Sequence, residues 1–379
     1  MTQGRSLASV VIGADFLVFL VSYGLLEGVD HARVEQFVDR LGRGQFLGQL
    51  ALLPRRQGKP PVSGNRSSRA RPREMDFPRL VERFGSEDRC RQYLEALRWP
   101  GGVVCPKCNH VGATWLATRR VRECNRGSCG HQFSVRVGTV LQDSKLPLWK
   151  WFVTVFLLAE SKKGISANQI RRMTGVTYKT AWFLTHRIRQ AMSEAAEAKP
   201  LTGSVEVDET YIGGKPRYSK RGKRGWDHRR DSKTTVLGAV ERGGNIRLRV
   251  ERRGTNMGTL RQFIRDHVDD KTPHLYTDSS PSYGSLTDEN TTHEQVNHRA
   301  YEWVRGDVHT NSIESAWSLF KRSIVGSYHH LSVKHMDSYL DEFEFRYNNR
   351  HNDFLFRDTL RALLKSETMT YQKLIDRPA

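Results

Sequence analysis

The stretch GSVEVDETYIGG, residues 203 to 214, alternates Val205 and Val207 with acids, sets Asp208 at the end of the apolar run and closes on two glycines. Period-two alternation ended by glycine is a strand signal. A carboxylate at the end of such a strand is costly to bury unless it meets a cation, a donor or water. Glu206 shares the face of Asp208, and Glu209 points the other way. Two further strand patterns follow, TTVLGAVERGG at 234–244 and NIRLRVERRG at 245–254, so the three predict an antiparallel meander. Beyond them lie an amphipathic helix, TLRQFIRDHV, a short strand, HLYTDSS, that reaches Asp278, and a helix, SIESAWSLFKRSIVG, that carries Glu314.

The order β-β-β-α-β-α, with acids on the first strand, the fourth strand and the last helix, has the layout of a mixed α/β, ribonuclease-H-like domain over 201–350 by analogy of element order. Jointly the acids suit phosphodiester chemistry, in which carboxylates hold two divalent cations about 3.5 to 4 Å apart. Mg²⁺ favours such oxygen ligands. Singly, each acid has a structural reading. Asp278 opens Asp-Ser-Ser-Pro, good turn chemistry. Asn311-x-x-Glu314 matches a capping box, with Asn311 as the cap. Glu314 and Lys321, seven residues apart, share one helix face. Asn311 offers only a neutral amide oxygen, a weaker ligand for a hard cation, and is the alternative third ligand.

Lys and Arg number 61 against 41 Asp and Glu, a formal charge of +20, so a polyanion is the expected partner and nucleic acid the first choice. Cys105-Pro-Lys-Cys108 and Cys124-x4-Cys129, fifteen residues apart, can bring four thiolates to one tetrahedral Zn²⁺ within a ribbon over 101–140. The second pair is wider than a CxxC, and His110 and His131 are poorer candidates. Cys90, at a buried position of a helical lead-in over 75–100, reads as a core thiol. Residues 146–198 are helical. Two patterns broken at Thr174-Gly175-Val176 give a helix-turn-helix shape that predicts DNA binding, with Tyr178, Lys179 and Thr180 at base edges and Arg187 and Arg189 at phosphates. The loop at 214–233 has nine Lys or Arg against two Asp, and Lys220, Arg221, Lys223, Arg224 and Trp226 are its candidates for gripping DNA by charge and stacking.

Residues 1–74 differ in composition. They contain an apolar run at 7–26 interrupted by Asp15 and a Pro, Arg and Ser-rich linker at 54–74, and read as a disordered leader or an upstream extension of the frame, with no membrane partner expected. Residues 351–379 read as a C-terminal tail.

VDETYIGGK at 207–215, YTDSSPSY at 276–283, the run HTNSIESAWSLFKRSIVGSYHHLSVKHMDSYLDEFEFRYNNR at 309–350 and RWPGGVVCPKC at 98–108 together resemble the DDE-type insertion-sequence transposases of the zinc-ribbon, ISXO-like group. That resemblance implies a cytoplasmic, nucleoid-associated enzyme that binds the terminal inverted repeats of its own element, cuts there and joins the freed 3′ hydroxyls to target DNA. It implies Mg²⁺ or Mn²⁺ on Asp208, Asp278 and either Glu314 or Asn311, a downstream Lys at Lys321, and a homo-oligomer in the synaptic complex. The other readings are a zinc-ribbon regulator or an inactive remnant.

Overall fold

The computed structural model describes residues 74–196, 199–213, 233–252, 256–279, 283 and 291–376. The leader reading of 1–73, with its apolar run, and the loop candidates Lys220, Arg221, Lys223, Arg224 and Trp226 lie outside the described residues.

Helices α1 (Phe77–Phe84) and α2 (Glu87–Arg98) begin where Asp76 and Ser86 each accept a backbone N–H from three residues on. A small three-stranded sheet follows, β1 (Ala113–Leu116), β2 (Val121–Cys124) and β3 (Gln132–Phe133), all antiparallel. It is fastened to α2 by Arg122, whose Nη2 donates to Glu95 Oε2 at 2.6 Å, and by Trp99 edge-on to Phe133. Helices α3 (Leu148–Glu160), α4 (Ala167–Thr174) and α5 (Tyr178–Glu194) come next. The α4–α5 turn works because Gly175 takes φ 65°, a left-handed cap that only glycine adopts without strain, and because Thr177 caps α5.

Of the tail expected at 351–379, the described residues 351–376 are not one. They contain α9 (Leu355–Lys365) and α10 (Tyr371–Ile375), and Phe356, Leu360, Leu363 and Leu374 share one core with Phe84, Leu94, Trp151, Phe152 and Ile188. Cys90 is fully buried in this core, where its thiol donates to the Phe84 carbonyl.

The second sheet holds β4 (Ser204–Ile212), β5 (Thr234–Glu241), β6 (Ile246–Glu251), β7 (His274–Asp278) and β8 (Thr292–Val296) in the order β6-β5-β4-β7-β8. The β4–β5 and β5–β6 pairs are antiparallel, and β4–β7 and β7–β8 are parallel. The edge strand β8 is an addition to the sequence-based order. Its residues, THEQV, have too little apolar alternation to announce it. Helix α6 (Met257–His267) packs Leu260 and Phe263 on one face with Val205, Val207, Leu237 and Ala239. Helices α7 (Asn311–Ser323) and α8 (Met336–Asn348) cover the other with Ile313, Trp317, Phe320, Leu340 and Phe343 against Val236, Val240 and Ile246. The parity of β4 thus sends its valines towards α6 and Glu206 and Asp208 towards α7.

Helix α8 also joins the sheet to the helical part. Glu342, wholly buried, accepts from Arg189 Nε at 2.6 Å and from the Tyr328 hydroxyl at 2.7 Å, and is paired with Arg346. Truncating such a carboxylate leaves buried guanidinium charge without a counter-ion, at a cost of about 3–5 kcal/mol. Glu342→Ala is therefore expected to lower the unfolding free energy measured by urea titration by that much. A change within about 0.5 kcal/mol, as at an ordinary surface position, would contradict this account.

Candidate functional site

The four cysteines come together at the open end of the ribbon. Cys105 Sγ lies 3.9 Å from Cys129 Sγ and Cys108 Sγ 3.6 Å from Cys124 Sγ, and all four sulfurs fall within 4.8 Å of one another. Four thiolates around Zn²⁺ at about 2.3 Å stand about 3.8 Å apart, so the donor set fits a tetrahedral ion. Each knuckle is a turn: Asn109 N–H returns to the Cys105 carbonyl with Asn109 at φ 56°, and Cys129 N–H returns to that of Arg126. The second knuckle is two residues longer than the first, and its opening residue Asn125 is held by its N–H to the Gly112 carbonyl and through its Oδ1 by Thr114 Oγ1 at 2.8 Å. His110 and His131 stay out of the cluster; His131 instead stacks on Phe133. The Cys108 thiol is lowered to about 7, first by the His110 N–H that bonds it, while desolvation raises Cys124 to about 12. A divalent cation would favour the thiolate at all four.

The carboxylates meet on the large sheet. The last β4–β7 pair is Glu206↔Tyr276, so Asp208 and Asp278 each stand two residues further on, side by side where the parallel strands part. In open α/β sheets such a crevice at the carboxyl ends of parallel strands is the usual ligand position. Trp317 of α7 donates its Nε1–H to Asp208 Oδ2 at 3.0 Å. It comes so close because Asp208 is paired with Gly238 on β5, and a Cβ at 238 would lie 2.5 Å from the Trp317 ring. Burial, with the charges of Glu209 and Asp278, pushes Asp208 up to about 7. Glu209 turns to the opposite face, where it accepts from the buried Tyr283 hydroxyl at 2.7 Å.

Asp208 thus keeps a proton in the folded, metal-free chain that the unfolded chain gives up near the ordinary value of 3.8. Between these two values the folded state binds more protons, so stability falls as pH rises from 3.8 to about 7 and levels off above. With divalent cations kept out of the carboxylate site, Asp208→Asn is expected to flatten that part of the stability curve relative to wild type. Parallel curves for the two proteins would show that Asp208 is not the titrating group.

Glu314 stands in the first turn of α7, half exposed, where Thr310 Oγ1 donates to it at 3.2 Å and His298 Nε2 lies at 3.7 Å. Lys321, two turns on, is exposed. Among the described residues the four cysteines are the one group of three or more acidic, histidine or cysteine ligands within 4.8 Å, so Glu314 does not close on the two aspartates to that distance. The capping-box expectation is overturned. Asn311 is already the first helical residue, exposed, with Thr310 in the cap position, and the Thr310 side chain makes no capping bond to a backbone N–H. The N-terminus of α7 is instead held by Glu206, fully buried, which accepts from Ser312 N at 2.7 Å, Ser312 Oγ at 3.0 Å and Ile313 N at 3.0 Å. Arg242 Nε adds a bond to Glu206 at 2.7 Å and His309 Nδ1 lies at 3.2 Å from it.

Two comparisons decide the family. Residues 200–348 match the ISXO2-like transposase domain, and residues 85–132 match the transposase zinc-ribbon domain. The chain belongs to this transposase family. It is also 29% identical over 279 residues, 70% of this chain and 92% of the relative, to an uncharacterized protein in transposable element ISH50 of Halobacterium salinarum.

In this transposase the first turn of α5 exposes Tyr178, and Thr180 is half-buried with its hydroxyl 2.9 Å from that of Thr177. Lys179 is exposed and sits over the Tyr371 ring at 4.4 Å. The phosphate role expected of Arg187 and Arg189 is corrected, since both are buried. Arg187 Nη2 donates to the Gln142 carbonyl at 2.5 Å and its guanidinium lies over Trp151 at 5.1 Å, while Arg189 pairs with Glu342. The exposed arginines of this region are Arg171 and Arg172 on α4. No described helix is long and apolar enough to cross a membrane.

Proposed function

We propose that this transposase binds the terminal inverted repeats of an insertion sequence, cleaves at them and transfers the freed 3′ ends to target DNA, on a ribonuclease-H-like sheet. Asp208, Asp278 and Glu314 are the metal-binding acids of this reading. The observation that supports it most is the placement of Asp208 and Asp278 each two residues beyond the last ladder pair of two adjacent parallel strands, with α7 anchored over Asp208 through Trp317. Two carboxylates in one another's field, one of them pushed towards neutrality, suit a site completed by cations. Mg²⁺ or Mn²⁺ bound there supplies activation of the attacking oxygen and stabilisation of the leaving one.

The protein's own part is positioning. Trp317 fixes the carboxylate of Asp208, Glu206 fixes the start of α7, and Glu314 in the first turn of that helix is the acid that would complete the set. Lys321, on the same helix face, lies where it can meet a phosphate oxygen. The ribbon carries zinc on Cys105, Cys108, Cys124 and Cys129. The exposed first turn of α5, with Tyr178, Lys179 and Thr180, contacts duplex DNA, and the end-joining step is carried out by a homo-oligomer at the nucleoid.

The test uses a supercoiled plasmid bearing the inverted repeats that flank the coding region. Asp278→Asn and Glu314→Gln are each expected to slow cleavage about a thousandfold or more, since a lost metal ligand removes several kcal/mol of transition-state stabilisation, while both variants still retard end-containing DNA. If Asn311→Ala has that effect and Glu314→Gln does not, the third ligand is Asn311. Undiminished cleavage by Asp278→Asn would refute the metal-site reading.

A further inference from the structure

Beyond the edge strand β8, the segment 297–304 carries two large rings into solvent. Tyr301 is 85% exposed and Trp303 55%, and Val304 continues the patch. Large aromatic side chains contribute most of their stabilisation when buried, so two of them held in the open within three residues of chain call for an occupant.

Their setting is rigid. Asn297 Oδ1 accepts Ala300 N–H, Glu302 Oε2 accepts Asn297 N–H, and the Asn297 and His298 carbonyls take the Glu302 and Tyr301 N–H groups. Arg305 Nη2 ties the end of the segment to the Gln295 carbonyl on β8 at 3.0 Å. Tyr301 itself is held at φ 59°. That conformation is an outlier for a bulky residue, and such strain concentrates at ligand clamps. Trp303 also reaches Glu314 through one side chain. Trp303 and His298 have ring centroids 4.6 Å apart, and His298 Nε2 lies 3.7 Å from the Glu314 carboxylate.

We propose that Tyr301 and Trp303 form a stacking platform for an unpaired nucleobase of DNA at the rim of the carboxylate site. The proposal rests on the reading that Glu314 belongs to a DNA-cleaving centre. A base has two π faces and stacks on tyrosine or tryptophan whatever its identity, and a chain with a formal charge of +20 draws its phosphates in. Opening a base pair next to a scissile phosphate is unfavourable in free duplex. A ring one histidine away from Glu314 offsets part of that cost where the strand must be bent to reach the acids.

The experiment uses the full-length, zinc-loaded chain in magnesium-free buffer and two oligonucleotides: a blunt duplex, and the same duplex with a short single-stranded tail containing 2-aminopurine. Wild type is expected to bind the tailed duplex more tightly and to quench the 2-aminopurine emission on binding. Trp303→Ala and Tyr301→Ala should each lower affinity for the tailed duplex about tenfold relative to the blunt one and restore the emission, whereas Trp303→Phe keeps both effects. Equal loss on both duplexes, or no loss on either, overturns the platform. A change in oligomeric state with the tail preference intact also overturns it, because the rings are then a contact between copies. These results do not depend on turnover: cleavage that survives Asp278→Asn removes the catalytic reading alone, and a missing tail preference removes the platform alone.

Discussion

Stripping zinc from the protein with a chelator, or replacing Cys124 by serine, is expected to open residues 101–140 to protease while the helical signal of the rest of the chain survives. The ribbon has almost no core of its own. Its buried apolar cluster amounts to Cys105, Cys124 and Phe133 with a rim of partly buried neighbours, so two of its three buried members belong to the sulfur cluster that an ion would hold together. In ribbons and fingers of this size the apparent zinc-binding free energy, about 10–16 kcal/mol, is in effect the folding free energy. The helices do not share that dependence, since α2, α3 and α9 pack in a separate cluster around Phe84, Phe152 and Phe356. The measurement is limited proteolysis with and without chelator, followed by mass determination of the fragments. New cuts between Val103 and Val137 with an intact remainder are the expected pattern. A ribbon equally resistant without metal would mean that the four thiols are not an ion site.

Replacing Glu206 by alanine is expected to cost about 3–5 kcal/mol of stability and to reduce DNA cleavage beyond what the lost folded fraction explains. Removing one partner of a buried charged cluster leaves the others desolvated and unmatched. Here Arg242 would lose its carboxylate, and the Ser312 and Ile313 N–H groups at the start of α7 would lose their acceptor. Arg242 keeps its bonds to the carbonyls of Asp307 and His309 and its place over the Tyr276 ring, so it stays in position as an unpaired cation. With its first turn loosened, α7 no longer presents Glu314 at a fixed place. Glu206→Gln retains an acceptor and is expected to recover most of the stability. The checks are urea unfolding and the cleavage rate measured well below the melting temperature. A Glu206→Ala protein within about 1 kcal/mol of wild type would show that α7 is held by packing alone.

Much of the candidate site was legible because it depends on strand parity. Val205 and Val207 facing one way fixed Glu206 and Asp208 facing the other, and the β4–β5 and β4–β7 ladders follow that division. What the sequence could not disclose were relations across long separations. Glu206 and Ser312 are 106 residues apart, and a local pattern, Asn311-x-x-Glu314, offered a nearer cap for the same helix end. Arg187 and Arg189 looked like surface phosphate contacts because basic residues on a helix usually are. Their burial is decided by α8, whose Glu342 lies 153 residues beyond Arg189. The amphipathic run LFRDTLRALLK of α9 carried its own helical signal, yet only the core it completes, formed by segments far earlier in the chain, distinguishes it from a tail.

The way α7 is capped bears on how the enzyme must handle phosphate. The amino end of a helix is ordinarily a ready anion site, with free N–H groups and the positive end of the dipole directed at the ligand. In this protein that end is already filled, from inside, by the Glu206 carboxylate. On the proposed reading, a DNA phosphate arriving beside Asp208 would find that helix terminus already occupied and, around it, carboxyl groups rather than N–H donors. On that reading its neutralisation falls to cations held by the acids and to a side chain such as Lys321, which would tie the affinity of the site for DNA to the divalent ion in a way that a helix-capped phosphate site would not require.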